Sequence, residues 1–422
     1  HYTEGTWLSC GIMGYDAKDG VIIDQNTVYD TDIGIGPSSY SDIYGNEIYD
    51  CSQGIELEAG SAYNNIYNNQ LHDNDYGIHL LGPGSPYYTG AGDEPGLGNT
   101  ASYNNIYDNT EGVRNWDTTQ ICDARFNWWG NESGPTHSSN DGGTGDAISD
   151  YVDYSPWLGA TFETTPRTYH VNPSGAPGAI QEAVDEAASG DTIIVHDGTY
   201  DEQVVIDKSL TLQGTGSTPI IKPSSAANLT TILDGYYWGG TVKIAGIIVA
   251  NVTDGSNVTV KNLIVDGENI VTKPIGSDYV TGIFYRETSG LIDTVTIANM
   301  TIDDTGTGVR GYGVYLSAIV NTVSVEIKNC NIAKYDKNGI NAHGNKLTVN
   351  IHDNTVTGRG PLFGGDEVQN GVLIMDGAIG TVNSNTISDL TYIPETWWSS
   401  GILFLNGGNG CSADYNTITD CQ

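Results

Sequence analysis

The 422-residue chain carries 52 Asp and Glu against 16 Lys and Arg, a formal net charge of −36, with 38% apolar residues and 55 Gly. Such a surface repels nucleic acid and anionic membranes and suits saline surroundings and divalent cations. No run of about 18 apolar residues occurs, so no membrane span is expected, and the wealth of Gly and Asn points to many short strands joined by tight turns.

Residues 1–158 open directly in strand-like sequence, without a leader, as a mature or excised chain does. Gly followed by Ile or Val recurs at Gly11, Gly34, Gly54, Gly77 and Gly112, in steps of 23, 20, 23 and 35 residues. Between these lies a second marker, Asn-x-(Val/Ile/Leu), at Asn26, Asn46 and Asn69, and Asn109 sits in a matching context. Tyr44, Tyr67 and Tyr107 each follow an Ile, and period-two alternation turns the Ile inward and the Tyr outward. The stack of rings this predicts reads either as plain β-propensity or as a platform for sugar or for a neighbouring filament. His72 and His79 read as parts of solvated turns. The stretch from Asn127-Trp128-Trp129-Gly130 to Trp157-Leu158 is aromatic, turn-rich and without repeat, which suits a C-terminal cap.

Residues 159–170 are expected to be a linker. Beyond it, Ile180, Ala183, Val184 and Ala187 fall at helical spacing, and this short amphipathic helix is the natural N-terminal cap of a solenoid. Coils start at Asp191, and the Gly marker returns at Gly282, Gly313, Gly339, Gly371 and Gly401, in steps of 31, 26, 32 and 30. The Asn marker returns at Asn354, Asn385 and Asn416. Periods of this length with two-residue alternation mean stacked coils of short strands. A buried turn Asn in each coil can hydrogen-bond to the next, which predicts a ladder of Asn354, Asn385, Asn416, Asn26, Asn46, Asn69 and Asn109; ordinary turn chemistry is the alternative. In earlier coils Leu263, Met300 and Cys330 are expected at the same position. The fold class is all-β: a right-handed parallel β-helix with a short N-terminal capping helix and an aromatic C-terminal cap.

The caps stand in the wrong order. Residues 1–158 form the back half of a β-helix and 171–422 the front half. Joined through Gln422 and His1, the Gly marker steps 32 residues from Gly401 to Gly11, and the Asn marker steps 32 from Asn416 to Asn26, close to the steps before them. Closure of one chain on itself is disfavoured. About 12 coils at roughly 4.8 Å span close to 58 Å, beyond the roughly 54 Å reach of residues 156–170. The alternatives are stacking of one subunit's end on the next and a repeat unit of a longer tandem polypeptide. Both give head-to-tail strings, since open strand edges template association. Cys10 and Cys421 would flank the joint and could form a disulfide there, with all six cysteines unpaired as the other reading. Sequons at Asn131, Asn228, Asn251, Asn257 and Asn299 fit an extracellular, glycosylated protein.

The motifs Ile180-Gln181-Glu182-Ala183-Val184, Gly190-Asp191-Thr192-Ile193-Ile194-Val195, Gly198-Thr199-Tyr200 and Leu210-Thr211-Leu212-Gln213-Gly214, with Asn127-Trp128-Trp129-Gly130, Gly134-Pro135 and Pro156-Trp157-Leu158, resemble the NosD-type, pectate-lyase-like right-handed β-helix superfamily. Within it the chain is most similar to repeat-rich cell-surface proteins of methanogenic archaea. The resemblance implies the fold across nearly the whole chain and leaves activity open, since the superfamily holds lyases, hydrolases, adhesins and structural proteins.

A pectate-lyase-like centre needs a basic residue beside carboxylates that hold calcium. Arg310 and Asp336, with Asp303 and Asp304 a turn away, come nearest, but a surface ion pair explains them as well. The Asp-rich turns offer weak calcium sites at most, and no loop matches a calcium motif; no other cofactor is implied. The leading expectation is a structural extracellular or cell-surface protein, its partner being itself, head to tail. A polysaccharide lyase or hydrolase and a carbohydrate-binding adhesin are the alternatives.

Overall fold

The computed structural model describes residues 9–14, 20–58, 60–85, 90, 95–175, 177–237, 240–254, 256–302, 310–363, 368–393 and 399–421. It divides into two compact units, His1–Ala176 and Pro177–Gln422. In the first, three parallel sheets are built from one short strand per coil. They run from Cys10–Met13 to Glu111–Asn115, from Ile22–Asp24 to Val152–Asp153, and from Thr27–Tyr29 to Asn105–Tyr107. The second unit repeats the plan, with sheets from Thr192–Val195 to Ser412–Asp414, from Gly198–Tyr200 to Thr417–Ile418 and from Val204–Ile206 to Ser400–Leu405.

Inward residues stack in like-on-like columns, such as Ile35, Ile55, Ile78 and Val113, all buried. The Gly marker has a steric cause. A Cβ added at Gly34, Gly54 or Gly77 would lie 2.5, 2.5 or 2.6 Å from the carbonyl oxygen of the marker Gly in the next coil. Only Gly lets the two backbones come that close.

Helix Ala179–Glu186 buries Ala179, Ile180, Ala183 and Val184, as its spacing predicts. Its N-cap, Gly178, offers no side chain. Instead Glu202, from the coil below, accepts the Ile180 and Gln181 amides at 3.1 and 2.8 Å. At the other end Lys208 Nζ donates to the carbonyls of Val184, Asp185 and Ala187, each at 3.0 Å. One coil thus supplies an anion to the positive end of the helix and a cation to the negative end.

The expected linker is no free segment. Thr168–Val171 pairs antiparallel with Trp157–Leu158, and Tyr169 and Val171 are buried. Glu163 holds the loop down by accepting bonds from Gln70 and Asn105 at 2.9 and 3.0 Å. Residues 159–175 therefore belong to the first unit, because Thr168-Tyr169-His170-Val171 is itself a strand, buried at all but its first residue. In the cap, Trp129, Tyr154 and Trp157 are buried, and Trp157 Nε1 reaches the Glu132 carbonyl at 3.0 Å.

Candidate functional site

The turns between strands share one construction. A residue with positive φ, such as Asn68 at 56°, Tyr103 at 54° or Asp353 at 57°, kinks the chain, and the next residue is Asn. Along the ladder of the first unit, Asn26, Asn46, Asn69 and Asn104 each give the backbone N–H and the amide N–H to the Oδ1 of the Asn one coil on. The amide bonds measure 2.9 Å from Asn26 to Asn46, 3.0 Å from Asn46 to Asn69, 2.9 Å from Asn69 to Asn104 and 3.0 Å from Asn104 to Asn127. In the second unit Cys330 N–H gives to Asn354 at 2.9 Å, Asn354 to Asn385 at 2.9 Å, and Asn385 to Asn416 at 2.9 Å. The column ahead of Cys330 holds Leu263 and Val295, not Met300: Val295 directly precedes strand Thr296–Ala298, as Cys330 precedes Asn331–Ala333.

Asn109 stands on a different ladder. Cys51, Asn74 and Asn109, each five residues beyond an Asn of the first ladder, form a second column that Asp146 closes, with the Asn74 amide 2.9 Å from Asn109 Oδ1 and the Asn109 amide 2.7 Å from Asp146 Oδ2. A third runs through Ser41, Asn64 and Asn99. Asp146, which ends the second ladder, is partly buried, and that burial pushes its carboxyl up to about 6. The folded chain thus holds a proton that the unfolded chain releases between about pH 4 and 6, so this group's contribution to stability falls as pH rises through that window. Asp146→Asn continues the ladder with a neutral amide. It should raise the melting temperature by roughly 2 °C or more at pH 7.5 relative to the native chain, with little difference at pH 4, as calorimetry at the two pH values would read.

The ring columns also depart from expectation. Tyr44 stacks on Tyr67 with centroids 5.0 Å apart, but the next place is taken by Ser102, opposite Tyr67. Tyr107 instead ends another column, Tyr29, Tyr49, His72 and Tyr107, on the neighbouring sheet. His72 is thus part of a ring stack. His79, also expected in a solvated turn, is fully buried on strand Tyr76–Leu80. Its Nδ1 lies 2.9 Å from Gln53 Oε1 and 3.8 Å from the buried carboxylate of Glu56.

The residues nearest a lyase centre are engaged otherwise. Asp336 is buried, accepts the Ile302 and Gly311 amides at 2.7 and 3.2 Å, and pairs with Arg359 at 3.0 Å. Arg310 lies over the Tyr279 ring at 5.9 Å. Asp303 and Asp304 lie outside the described residues, as do Gln422 and His1. Among the described residues no three His, Cys, Asp or Glu side chains group as a metal site, and no helix is long and apolar enough to cross a membrane.

Of the sequon residues, Asn131 and Asn257 are exposed. Asn228 and Asn299 give their amides to Asp201 and Asp266, both at 2.8 Å, and Asn251 Oδ1 accepts from Arg286 at 3.0 Å. All six cysteines are free.

The last and first described coils present matching half-bonds. Asn416 Nδ2 reaches back to the Val382 carbonyl at 2.8 Å, and among the described residues no Oδ1 lies ahead of it. Asn26 Oδ1 likewise receives no donor among the described residues. Ile418 and Tyr415 are exposed at the one end, Ile22 and Met13 at the other.

Sheets of parallel strands, a core of aligned columns and Asn ladders define the class, and the chain is a right-handed parallel β-helix protein. The family model for right-handed β-helix regions matches residues 2–91. A cell surface glycoprotein of Methanothermus fervidus is 38% identical over 96 residues, which cover 21% of this chain and 16% of that protein. The chain thus spans about a sixth of this relative's length. Among solved structures, a mutant alginate lyase of polysaccharide lyase family 6 aligns over 94% of this chain and 77% of its own, at 10% identity and a TM-score of 0.28. That likeness is too distant to assign an activity.

Proposed function

We propose that this chain is a structural element of a cell surface, in which the coil after Gln422 is completed by the first residues of a following copy. The observation that carries the reading is the complementarity of the ends: Asn416 has amide donors to give and Asn26 an Oδ1 to receive, in the polarity of every other rung. The 32-residue steps of both sequence markers support it. So does Gly401, which among the described residues faces no marker Gly ahead of it, unlike Gly371, whose added Cβ would meet the Gly401 carbonyl oxygen at 2.6 Å. The proposal holds whether the following copy is a separate chain or a later part of the same polypeptide. The Methanothermus fervidus glycoprotein supports the surface location, and exposed Asn131 and Asn257 are the sequons placed to carry glycans. Cys421 and Cys10 then come to the same joint, where a disulfide could lock it.

Asn26→Leu tests the joint. Asn26 makes its rung with Asn46 partly through its backbone N–H, at 3.0 Å, which the substitution keeps. The variant should fold with a melting temperature within about 2 °C of the native chain yet lose end-to-end association in sedimentation velocity. Association that persists unchanged in the variant would count against the ladder as the joining element.

A further inference from the structure

The outer face of the narrow sheet from Thr27–Tyr29 to Asn105–Tyr107 carries the four-ring column. Its rings lie face to face, Tyr29 on Tyr49 at 5.0 Å, Tyr49 on His72 at 5.2 Å and His72 on Tyr107 at 4.9 Å, tilted by 15° at most. Within the column Tyr49 and His72 are covered on both faces, while Tyr29 and Tyr107 each have a ring on one face only. The end of the column differs. Asn105 bridges to Trp128 in the next coil, which puts Gly130, two residues on, at the place beyond Tyr107. Gly130 has φ +80°, and a Cβ built on it would lie 3.0 Å from Tyr107 Cβ. Gly therefore leaves the far side of the Tyr107 ring uncovered.

That uncovered side opens into a groove of about 470 Å³, bounded by Trp128, Thr161, Asp108 and Glu163. The size falls within the roughly 300–1,000 Å³ range of small-ligand sites. Glu163 is held rigid by the Gln70 and Asn105 amides at 2.9 and 3.0 Å, and Asn105 Oδ1 accepts the Phe162 amide at 3.0 Å. The exposed Asp108 carboxylate accepts no bond from the described residues. An open aromatic face beside one fixed carboxylate, Glu163, and one unbonded carboxylate, Asp108, suits a pyranose: the ring takes its apolar C–H side and the carboxylates take its hydroxyls. Among the described residues no Lys or Arg lines the groove. Burial, and then Glu47, Asp73, Asp108 and Glu163, push the Tyr107 phenol up, a sign of strongly negative surroundings.

We infer that this groove binds a neutral glycan through the open face of Tyr107, and that it excludes uronic-acid and sulfated chains by charge. The site lies wholly within the first unit and is independent of any joining of ends.

The test is retardation of the full-length chain in native gels cast with mannan, dextran, linear β-glucan or neutral galactan, and with polygalacturonate or chitosan. At least one neutral polymer should slow the native chain, and the two charged ones should not do so through this groove. Thr161→Trp fills the groove from an exposed position, and Tyr107→Ala removes the ring. Each should weaken retardation by about tenfold or more, the loss expected for one ring contact. Tyr44→Ala, on the other ring column, should leave it unchanged. The inference is overturned if none of the four neutral polymers retards the chain, if Thr161→Trp binds as the native chain does, or if polygalacturonate or chitosan binding is what Thr161→Trp abolishes.

Discussion

Asn69→Leu should lower the free energy of unfolding by about 3–5 kcal/mol, although leucine is more apolar and of similar size. Asn69 is fully buried in the middle of the first ladder. Its Oδ1 accepts both the backbone N–H and the amide of Asn46, each at 3.0 Å. Its own amide serves Asn104 Oδ1, Ile43 O and Tyr67 O at 2.9, 2.9 and 3.1 Å. Leucine would strand the Asn46 backbone N–H, take one of the Asn46 amide's three acceptors, and remove a donor from Ile43 O, Tyr67 O and Asn104 Oδ1. Each buried polar group left unmade costs about 1–3 kcal/mol, more than the added apolar area returns. Urea unfolding followed by tryptophan fluorescence reads the loss, and hydrogen exchange should place it in the coils flanking Asn69, because a solenoid's stability is local to neighbouring repeats. A loss below about 1 kcal/mol would mean the ladder is turn chemistry and no more.

The second large effect is expected at the helix clamp. Lys208→Met removes the cation from three helix carbonyls while keeping the stem that packs beneath it. Glu202→Ala removes the acceptor that stands in for the missing cap side chain. Each should cost about 1–3 kcal/mol, and both should expose the amides of Glu182–Ala187 to fast exchange. Glu202 adds a pH signature: burial pushes its carboxyl up to about 7. A raised folded value means the native state holds a proton that the unfolded state has lost above about pH 4.5. The group therefore reduces stability progressively as pH rises from about 4.5 to 7. Glu202→Gln keeps an oxygen acceptor and removes that titration. The variant should match the native chain near pH 4.5 and equal or exceed it at pH 8. If instead it is weaker at pH 8, the negative charge at the helix end outweighs its desolvation.

Much of the fold was legible because a solenoid writes its geometry into spacing. The Gly marker survives in sequence because a carbonyl one coil away forbids any Cβ there, and the helix showed in four apolar positions. What misled was a shorter period inside each coil. Ile43-Tyr44-Gly45-Asn46 is followed, after Glu47, by Ile48-Tyr49-Asp50-Cys51, so a five-residue slip leaves the pattern looking intact. The 35-residue step before Gly112 hides that slip, so spacing alone puts Asn109 and Tyr107 one column away from where they stand. The same slip puts Met300 at the place that Val295 holds. Glu202, Lys208 and Glu163 gave no local signal, because each acts on a segment 20 or more residues away. The buried pair Glu56 and His79 was equally silent, since polar residues on the outward side of a strand normally face water.

The joining of ends is tested most directly by cryo-electron microscopy of the chain in its native surface material. Joined coils predict unbroken density at a repeat of about 4.8 Å through the last coil of one copy and the first of the next, with Asn416 Nδ2 on Asn26 Oδ1. A different fold capping the Asn416 end, or Asn26 facing solvent in the assembled material, would contradict it.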